Sequence, residues 1–418
     1  MILPIISQEL KELILLLSSF DQSSVDIHLL KKFVRWQTEK RQQLLDLLGI
    51  PSQSISLEPE NRGSLVYDDI IIEKWVYTSE CGSRVPAILY RPKHSAVPIP
   101  GVVLTFGHGG SKSQPAYNYA GQLYAKMGIA CLAADPIGEE ERHNQAKMGT
   151  RAHDPQSVHQ TAWNAGRPIM GKLIWDTMRG VDFMLGCDNI DPRRIGVVGN
   201  SLGGAKAGWM AVLDTRLHFA LISGWAFAEA TLKWGKFCTR LPNEKMSQIL
   251  TWEQYLSLAV PHCNILIMNG DADVIIDREG YGHAWKEMQV TVDQVSKAYM
   301  AFASPNGIRC WLERHGGHRP YFLHPSALEW LVELLSPGSW TVDRLCQLST
   351  VNFGQWGDAN GILFEQLYGT TLHQKGATAL DMQIRYLGKE KLSVLTEQEI
   401  GETRYTLQGW LNTLTTET

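Results

Sequence analysis

The chain has 418 residues, a formal net charge of −4 and a sequence pI of about 6.4. Hydrophobic residues make up 44% and charged residues 20%, an ordinary globular balance that excludes wholesale disorder. No basic excess points to nucleic acid or to an anionic membrane surface, so neither is expected as a partner. The length predicts one large domain with additions, or two to three domains.

The N-terminus lacks a basic stretch, and Glu9, Lys11 and Glu12 precede the apolar run Leu13 to Leu17, so it does not read as a signal peptide. No stretch approaches the roughly 20 apolar residues that span a bilayer. Seven scattered cysteines, Cys81, Cys131, Cys187, Cys238, Cys263, Cys310 and Cys346, form no disulfide framework. There is no Cys-x-x-Cys and no His-Glu-x-x-His. The expectation is free thiols in a reducing compartment, hence a cytoplasmic protein.

In chain order, residues 1–62 read as a helical extension. Leu30, Phe33, Val34, Leu44, Leu45 and Leu48 fall roughly on one helix face, and Gly49 and Pro51 stop it. Two antiparallel strands follow, Ile70 to Tyr77 and Val85 to Tyr90, rich in β-branched and aromatic residues. From Gly101 short apolar runs alternate with helical stretches. The runs are Val102 to Phe106, Ile129 to Ala134, Ile195 to Val198, Phe219 to Ile222, Ile265 to Met268 and, more weakly, Ile308 to Leu312. Uninterrupted runs of this length fit strands buried on both faces. The clearest helix carries Met170, Ile174, Met178, Val181 and Leu185, and the last spans Ala327 to Leu335 before Pro337-Gly338. The alternation predicts an α/β fold: a mainly parallel central sheet with helices on both faces, over residues 63–337. Residues 338–418, with segments such as Trp356-Gly357-Asp358 and Leu367-Tyr368-Gly369, read as a small C-terminal α+β appendage.

The decisive local signal is Gly199-Asn200-Ser201-Leu202-Gly203. It follows the strand Ile195 to Val198 and leads into small residues, Gly204, Ala205, Ala207 and Gly208. A Gly-x-Ser-x-Gly between strand and helix is a nucleophile elbow, a strained turn that lifts a serine hydroxyl above the sheet. Without that context a glycine-rich turn with a surface serine would be the better explanation. Serine needs a base, oriented by a carboxylate, and in this fold the order is Ser, then Asp or Glu, then His. The strand Ile265 to Met268 ends in Asn269-Gly270-Asp271-Ala272-Asp273. Asp273 is the favoured acid; Asp271 is the alternative, with Asp273 then satisfying turn amides. His315-Gly316-Gly317-His318 supplies the base, His318 in preference to His315. Surface histidines or a metal site are the competing explanations, and no further ligand at suitable spacing supports a metal. An oxyanion hole needs amide N–H groups: one from Leu202, the other from Gly109 or Gly110 of Gly107-His108-Gly109-Gly110. That loop alone is also explained by a glycine turn.

Together His108-Gly109-Gly110, Asp135-Pro136-Ile137-Gly138 with Glu141-Arg142, and Asp191-Pro192-Arg193-Arg194-Ile195-Gly196 leading into Asn200-Ser201 resemble acetyl xylan esterase-like and dienelactone hydrolase-like α/β-hydrolases. The resemblance covers about residues 65–335 and includes Trp175 to Arg179. It implies an α/β-hydrolase fold and a serine carboxylesterase or deacetylase acting on a small-molecule ester through Ser201, Asp273 and His318, with no cofactor or metal. Glu140 stands where that family's Asp-Pro-x-Gly loop often continues to a second glycine. Glu139, Glu140 and Glu141 would place negative charge near the cleft, which puts transfer of the substrate in doubt.

Three other functions compete. A peptidase related to prolyl oligopeptidases would need a β-propeller, and the ~100 residues before the core show no blade repeats. A non-catalytic binding protein of the same fold is disfavoured by the intact Ser, Asp and His. A dehalogenase would need a carboxylate at the elbow. Trp225, Phe227 and Trp234 either line the cleft under a lid or pack beneath a cap segment. His153 and His159 are cleft or ordinary loop residues, and the sequence does not choose. A homo-oligomer is left open.

Overall fold

The computed structural model describes residues 27–95, 97–232, 236–304, 306–368 and 373–416. Its first element is helix α1 (Ile27–Leu47). Phe33, Leu44 and Leu48 are fully buried on one face, but Val34 is 52% exposed, a quarter-turn away from that stripe. Gln37 and Arg41 lie on the buried side and donate to main-chain carbonyls elsewhere: Gln37 Nε2 to Ser257 O at 3.0 Å, Arg41 Nε to Val212 O at 2.8 Å. The helix is thus fastened by side-chain hydrogen bonds as well as by burial. Gly49 closes it with φ +60°, and a Cβ there would lie 2.0 Å from Gly166 O.

Nine strands form one sheet in the order β1-β2-β3-β5-β4-β6-β7-β8-β9. They are β1 (Glu60–Tyr67), β2 (Ile70–Glu80), β3 (Ser83–Pro92), β4 (Ile99–Thr105), β5 (Ala130–Ala134), β6 (Ile190–Asn200), β7 (Phe219–Ser223), β8 (Asn264–Gly270) and β9 (Ile308–Glu313). The first three pair antiparallel, as do β3 and β5; from β5 to β9 all neighbours are parallel. This is the mixed, mainly parallel sheet that the alternating runs predict. The unexpected strand is β1. It is a polar edge strand, and Val66 is 55% exposed, so it carries little of the apolar alternation that marks a strand in sequence.

Helices cover both faces. One carries α4 (Ile169–Leu185), α5 (Leu202–Leu213) and α8 (His283–Ala301), together with α1; the other carries α2 (Pro115–Lys126) and α9 (Pro325–Leu335). The shorter α3 (Gln156–Asn164), α6 (Phe237–Met246) and α7 (Trp252–Ser257) lie over the first face. Strand residues alternate between the layers: Val103, Val197 and Ala220 face the first, Leu104, Val198 and Leu221 the second. Each such fully buried valine or leucine contributes on the order of 1.5–3 kcal/mol.

The C-terminal segment contains a two-stranded antiparallel pair, β10 (Thr350–Asn352) with β11 (Thr378–Leu380), several short helices and α10 (Leu407–Thr416). It lies against α2. Tyr119 OH donates to Leu380 O at 2.6 Å, and Asn118 Nδ2 to Leu387 O at 2.9 Å. Helix α10 reaches the first face, where Trp410 is 1% exposed. Gly369, part of the segment Leu367-Tyr368-Gly369, lies outside the described residues. No helix among the described residues is long and apolar enough to cross a membrane.

Candidate active site

Parallel strands deliver their C-terminal ends to one edge, and the sequence-predicted residues follow strands that end there. Ser201 follows β6 and opens α5 with φ 61° and ψ −122°. This backbone conformation is rare for any residue with a side chain, and it is the strain expected of an elbow. Close packing holds it. A Cβ on Gly199 would lie 2.0 Å from Thr105 Oγ1, and one on Gly203 2.2 Å from Thr105 O. Thr105 Oγ1 also donates to Gly203 O at 2.7 Å, drawing α5 onto β4. Ser201 is half-buried, and its N–H donates to Ser223 O at 2.9 Å.

The acid loop follows β8. Asp273 is buried; its Oδ2 lies 2.7 Å from His318 Nδ1, and its Oδ1 accepts the N–H groups of Ile275 at 2.9 Å and Ile276 at 3.2 Å. One oxygen anchors the loop while the other faces the imidazole. Asp271 is exposed and instead accepts the His315 N–H at 2.5 Å, splinting the loop that carries His318. His315 is exposed with φ 58°. Of the two acids and two histidines, the structure pairs Asp273 with His318.

Neighbouring residues that the sequence does not advertise join the histidine loop to the nucleophile strand. Ser223 Oγ, at the end of β7, donates to Asn200 Oδ1 at 2.7 Å and accepts the Tyr321 N–H at 2.9 Å. Gly224 (φ +60°) has no room for a side chain, because a Cβ would lie 2.6 Å from Asn200 Oδ1 and 3.1 Å from His318 Cε1. The imidazole edge therefore lies beside the residue that precedes Ser201. The only sequence signal for Ser223 and Gly224 is their position at the end of the strand next to the elbow.

The Gly107 to Gly110 loop follows β4, and a Cβ on Gly107 would lie 3.4 Å from Ser201 Cβ. The Gly110 N–H is directed at Gly107 O at 2.9 Å, so in this geometry it closes a turn and does not face a ligand. Gly109 has φ +71°. Among the described residues, the N–H groups of His108 and Gly109 have no hydrogen-bond partner, and that of Leu202, at the start of α5, has no main-chain one.

The glutamates expected to charge the cleft do not do so. Glu139, Glu140 and Glu141 are all buried. Glu139 accepts the Thr150 N–H at 3.0 Å and the Arg151 N–H at 2.5 Å, and burial pushes its carboxyl up to about 7. Glu140 and Glu141 meet Lys112 Nζ at 2.9 and 2.7 Å, where Asp135 also meets it at 2.5 Å. One buried cation facing three carboxyls leaves an excess of acid. Burial first, then the Glu140 charge, raises Asp135 to about 8, while Lys112 is held above its ordinary range by its partners against the opposing effect of burial. Glu141 Oε1 accepts the N–H groups of Val394 and Leu395, each at 2.8 Å, so these acids carry the C-terminal segment.

Phe227 is core, packed edge-on to Trp252 at 5.5 Å and filling the space that Gly208 leaves. Trp225 is 6% exposed, and Trp234 lies outside the described residues. His153 and His159 are both buried.

Comparison with known proteins agrees with the layout. The acetyl xylan esterase (AXE1) family model matches residues 66–223, from the end of β1 through the elbow to the end of β7. YtaP of Bacillus subtilis (strain 168), which carries a hydrolase name, is 26% identical over 192 residues, 43% of this chain and 62% of its own length. The chain therefore matches less than two thirds of that relative. Among solved structures, a Bacteroides fragilis NCTC 9343 protein described as an acetyl xylan esterase superposes with a TM-score of 0.54 at 16% identity, over 71% of this chain and 78% of its own. Methylesterase BT1017 superposes with a TM-score of 0.56 at 15% identity, over 96% of this chain and 74% of its own. At those identities the superpositions speak for the fold. Residues 66–223, which hold the elbow, are thus similar to the acetyl xylan esterase (AXE1) family, and the chain as a whole shares the fold of these esterase structures.

Proposed function

We propose that this protein is a serine hydrolase of carboxylic esters, with Ser201 as nucleophile, His318 as general base and Asp273 as the carboxylate that orients it. The observation that carries this reading is the strained Ser201 backbone at the end of β6, together with a His318 whose Nδ1 is held 2.7 Å from a buried Asp273. A carboxylate on Nδ1 fixes the tautomer that leaves Nε2 free to take the serine proton. Ser201 Oγ then attacks the ester carbonyl, and His318 returns the proton to the departing alcohol. Water, activated by the same imidazole, releases the acid from the acyl-enzyme.

The oxyanion donors in this reading are the N–H groups of Leu202 and of the Gly107 to Gly110 loop. His108 and Gly109 are better placed than Gly110, whose hydrogen is already engaged by Gly107 O. Two such donors in a water-poor site are worth several kcal/mol in the transition state. The family match favours small acyl groups, acetate first, on an alcohol of the carbohydrate class. Residues 63–337 would carry the chemistry, and residues 338–418 would support it from below α2. All seven cysteines are free thiols, which fits a reducing, cytoplasmic setting.

The test is labelling by a fluorophosphonate probe, wild type against Ser201→Ala, together with p-nitrophenyl acetate turnover. Labelling of wild type alone with release of acetate is expected. Labelling without turnover of any ester in a broad panel points to a peptidase, and a folded wild type that does not label overturns the reading.

A further inference from the structure

A second group of reactive side chains converges behind the Gly107 to Gly110 loop. His108 Nε2 lies 2.9 Å from Cys238 Sγ and 3.7 Å from Asp154 Oδ1, and His153 Nε2 lies 3.5 Å from the same Asp154 oxygen. One ligand atom from each of these four residues lies within 4.8 Å of the others. The four come from three separate pieces of chain: the loop after β4, the loop before α3, and the start of α6.

The cluster is poorly satisfied by the protein itself. His153 is 1% exposed, yet neither ring nitrogen makes a hydrogen bond, and Asp154 Oδ1 is likewise without one. Buried polar atoms left in this state cost roughly 1–3 kcal/mol each, so native proteins keep them where something else fills the role.

We propose that His108, His153, Asp154 and Cys238 bind one divalent cation of the zinc class. Two imidazoles, one thiolate and one carboxylate form a tetrahedral donor set suited to Zn²⁺ or Co²⁺ and unsuited to Mg²⁺ or Ca²⁺. With bonds of about 2.0–2.3 Å, a tetrahedron has edges of about 3.3–3.6 Å. The two nitrogen–oxygen separations are already near that value, and the histidine–cysteine pair must open by a few tenths of an ångström. Binding displaces the Cys238 thiol proton to solvent, and thiolate plus carboxylate then balance the ion's charge.

The charged neighbours are Lys206 on α5, Arg151 and Lys236, with His159 on α3 close to His153. Lys206 is buried, and that burial lowers its amine to about 7. It can therefore shed its charge near neutral pH and not oppose the ion. Metal-motif spacing fails to reveal this site because the ligands are dispersed at 108, 153, 154 and 238.

The ion would brace the loop whose His108 and Gly109 amides are, among the described residues, free of hydrogen bonds. That bracing role rests on the ester-hydrolase reading, whereas the binding itself does not.

The full-length protein, stripped by chelator, is titrated with Co²⁺. The expected result is one equivalent bound, with tetrahedral visible bands and a near-ultraviolet thiolate-to-metal charge-transfer band that Zn²⁺ abolishes. Cys238→Ser should remove the charge-transfer band, and His153→Gln should weaken Co²⁺ binding at least about tenfold, a margin set by the loss of one ligand. Cys346→Ser, at an exposed cysteine, should change neither. Absence of stoichiometric binding, or a charge-transfer band that survives Cys238→Ser, overturns the proposal. Fluorophosphonate labelling of Ser201 in the same metal-free sample keeps that failure separate from a failure of the ester-hydrolase reading.

Discussion

Ser223 Oγ receives the Tyr321 N–H at 2.9 Å while it donates to Asn200 Oδ1 at 2.7 Å. One buried hydroxyl thereby ties the loop that carries His318 to the residue before Ser201. Ser223→Ala leaves the Asn200 oxygen and the Tyr321 amide without this partner, a loss of about 1–1.5 kcal/mol of positioning. The expected result is a kcat on p-nitrophenyl acetate lowered about tenfold with KM little changed. Steady-state kinetics with a thermal unfolding curve check it, since a purely structural effect would lower stability and leave kcat intact.

Asp273→Asn keeps an oxygen for the Ile275 and Ile276 amides, so the loop should hold its shape. What it loses is the acceptor that fixes the His318 tautomer. In a working triad that loss lowers kcat by on the order of 10⁴-fold. Single-turnover acylation and the rate of fluorophosphonate labelling should fall together. A variant with more than about a tenth of wild-type kcat would remove Asp273 from this role.

Glu141 predicts a contrast between two substitutions. Its Oε1 caps the Val394 and Leu395 amides, each at 2.8 Å. Glu141→Ala strands two buried donors and should destabilise by about 2–4 kcal/mol, with earlier proteolysis of the C-terminal segment. Glu141→Gln keeps the acceptor and removes one of three carboxyls around Lys112, so it should stay within about 1 kcal/mol of wild type. Urea unfolding followed by tryptophan fluorescence measures both.

His262 gives a pH dependence of known sign. Its Nε2 contacts Ala211 O at 3.0 Å, and burial, with a smaller push from Arg41, lowers it to about 4 in the folded state. The folded value lies below the unfolded one of about 6.5, so between these limits the unfolded chain binds the extra proton. The stability held above about pH 6.5 is then lost as pH falls towards 4. Relative to His262→Gln, wild type should lose up to about 3 kcal/mol across that window. Equal pH profiles for the two proteins would contradict it.

The sequence makes the parallel sheet readable because Val102 to Phe106, Ile195 to Val198 and Ile265 to Met268 are buried on both faces and so stay apolar, Thr105 apart. It hides β1 for the opposite reason: an edge strand facing water can be polar. Ser201, Asp273 and His318 stand out as candidates in the sequence because each follows a recognisable strand at a glycine-marked turn. The Gly110 amide is a different case. A motif gives the order of residues but not which N–H a turn has already engaged, and here Gly107 O holds it. The glutamate run misleads because charge in a sequence says nothing of burial, and these three side chains face Lys112 and loop amides. Contacts such as Ser223 with Tyr321, 98 residues apart, leave no local pattern at all.

The Glu141 carboxylate meets partners 253 and 254 residues further along the chain. At roughly 5–20 residues per second, a ribosome takes on the order of 10–50 s to make that stretch. For all of that time Lys112, Glu140 and Glu141 belong to a core whose last wall does not yet exist, and the face of α2 that Leu380 and Leu387 will cover stands open to other chains. The fold is therefore completed only once Val394 and Leu395 have been made. Its most vulnerable form is the nascent chain, which holds the elbow and the sheet but not yet the segment that seals them.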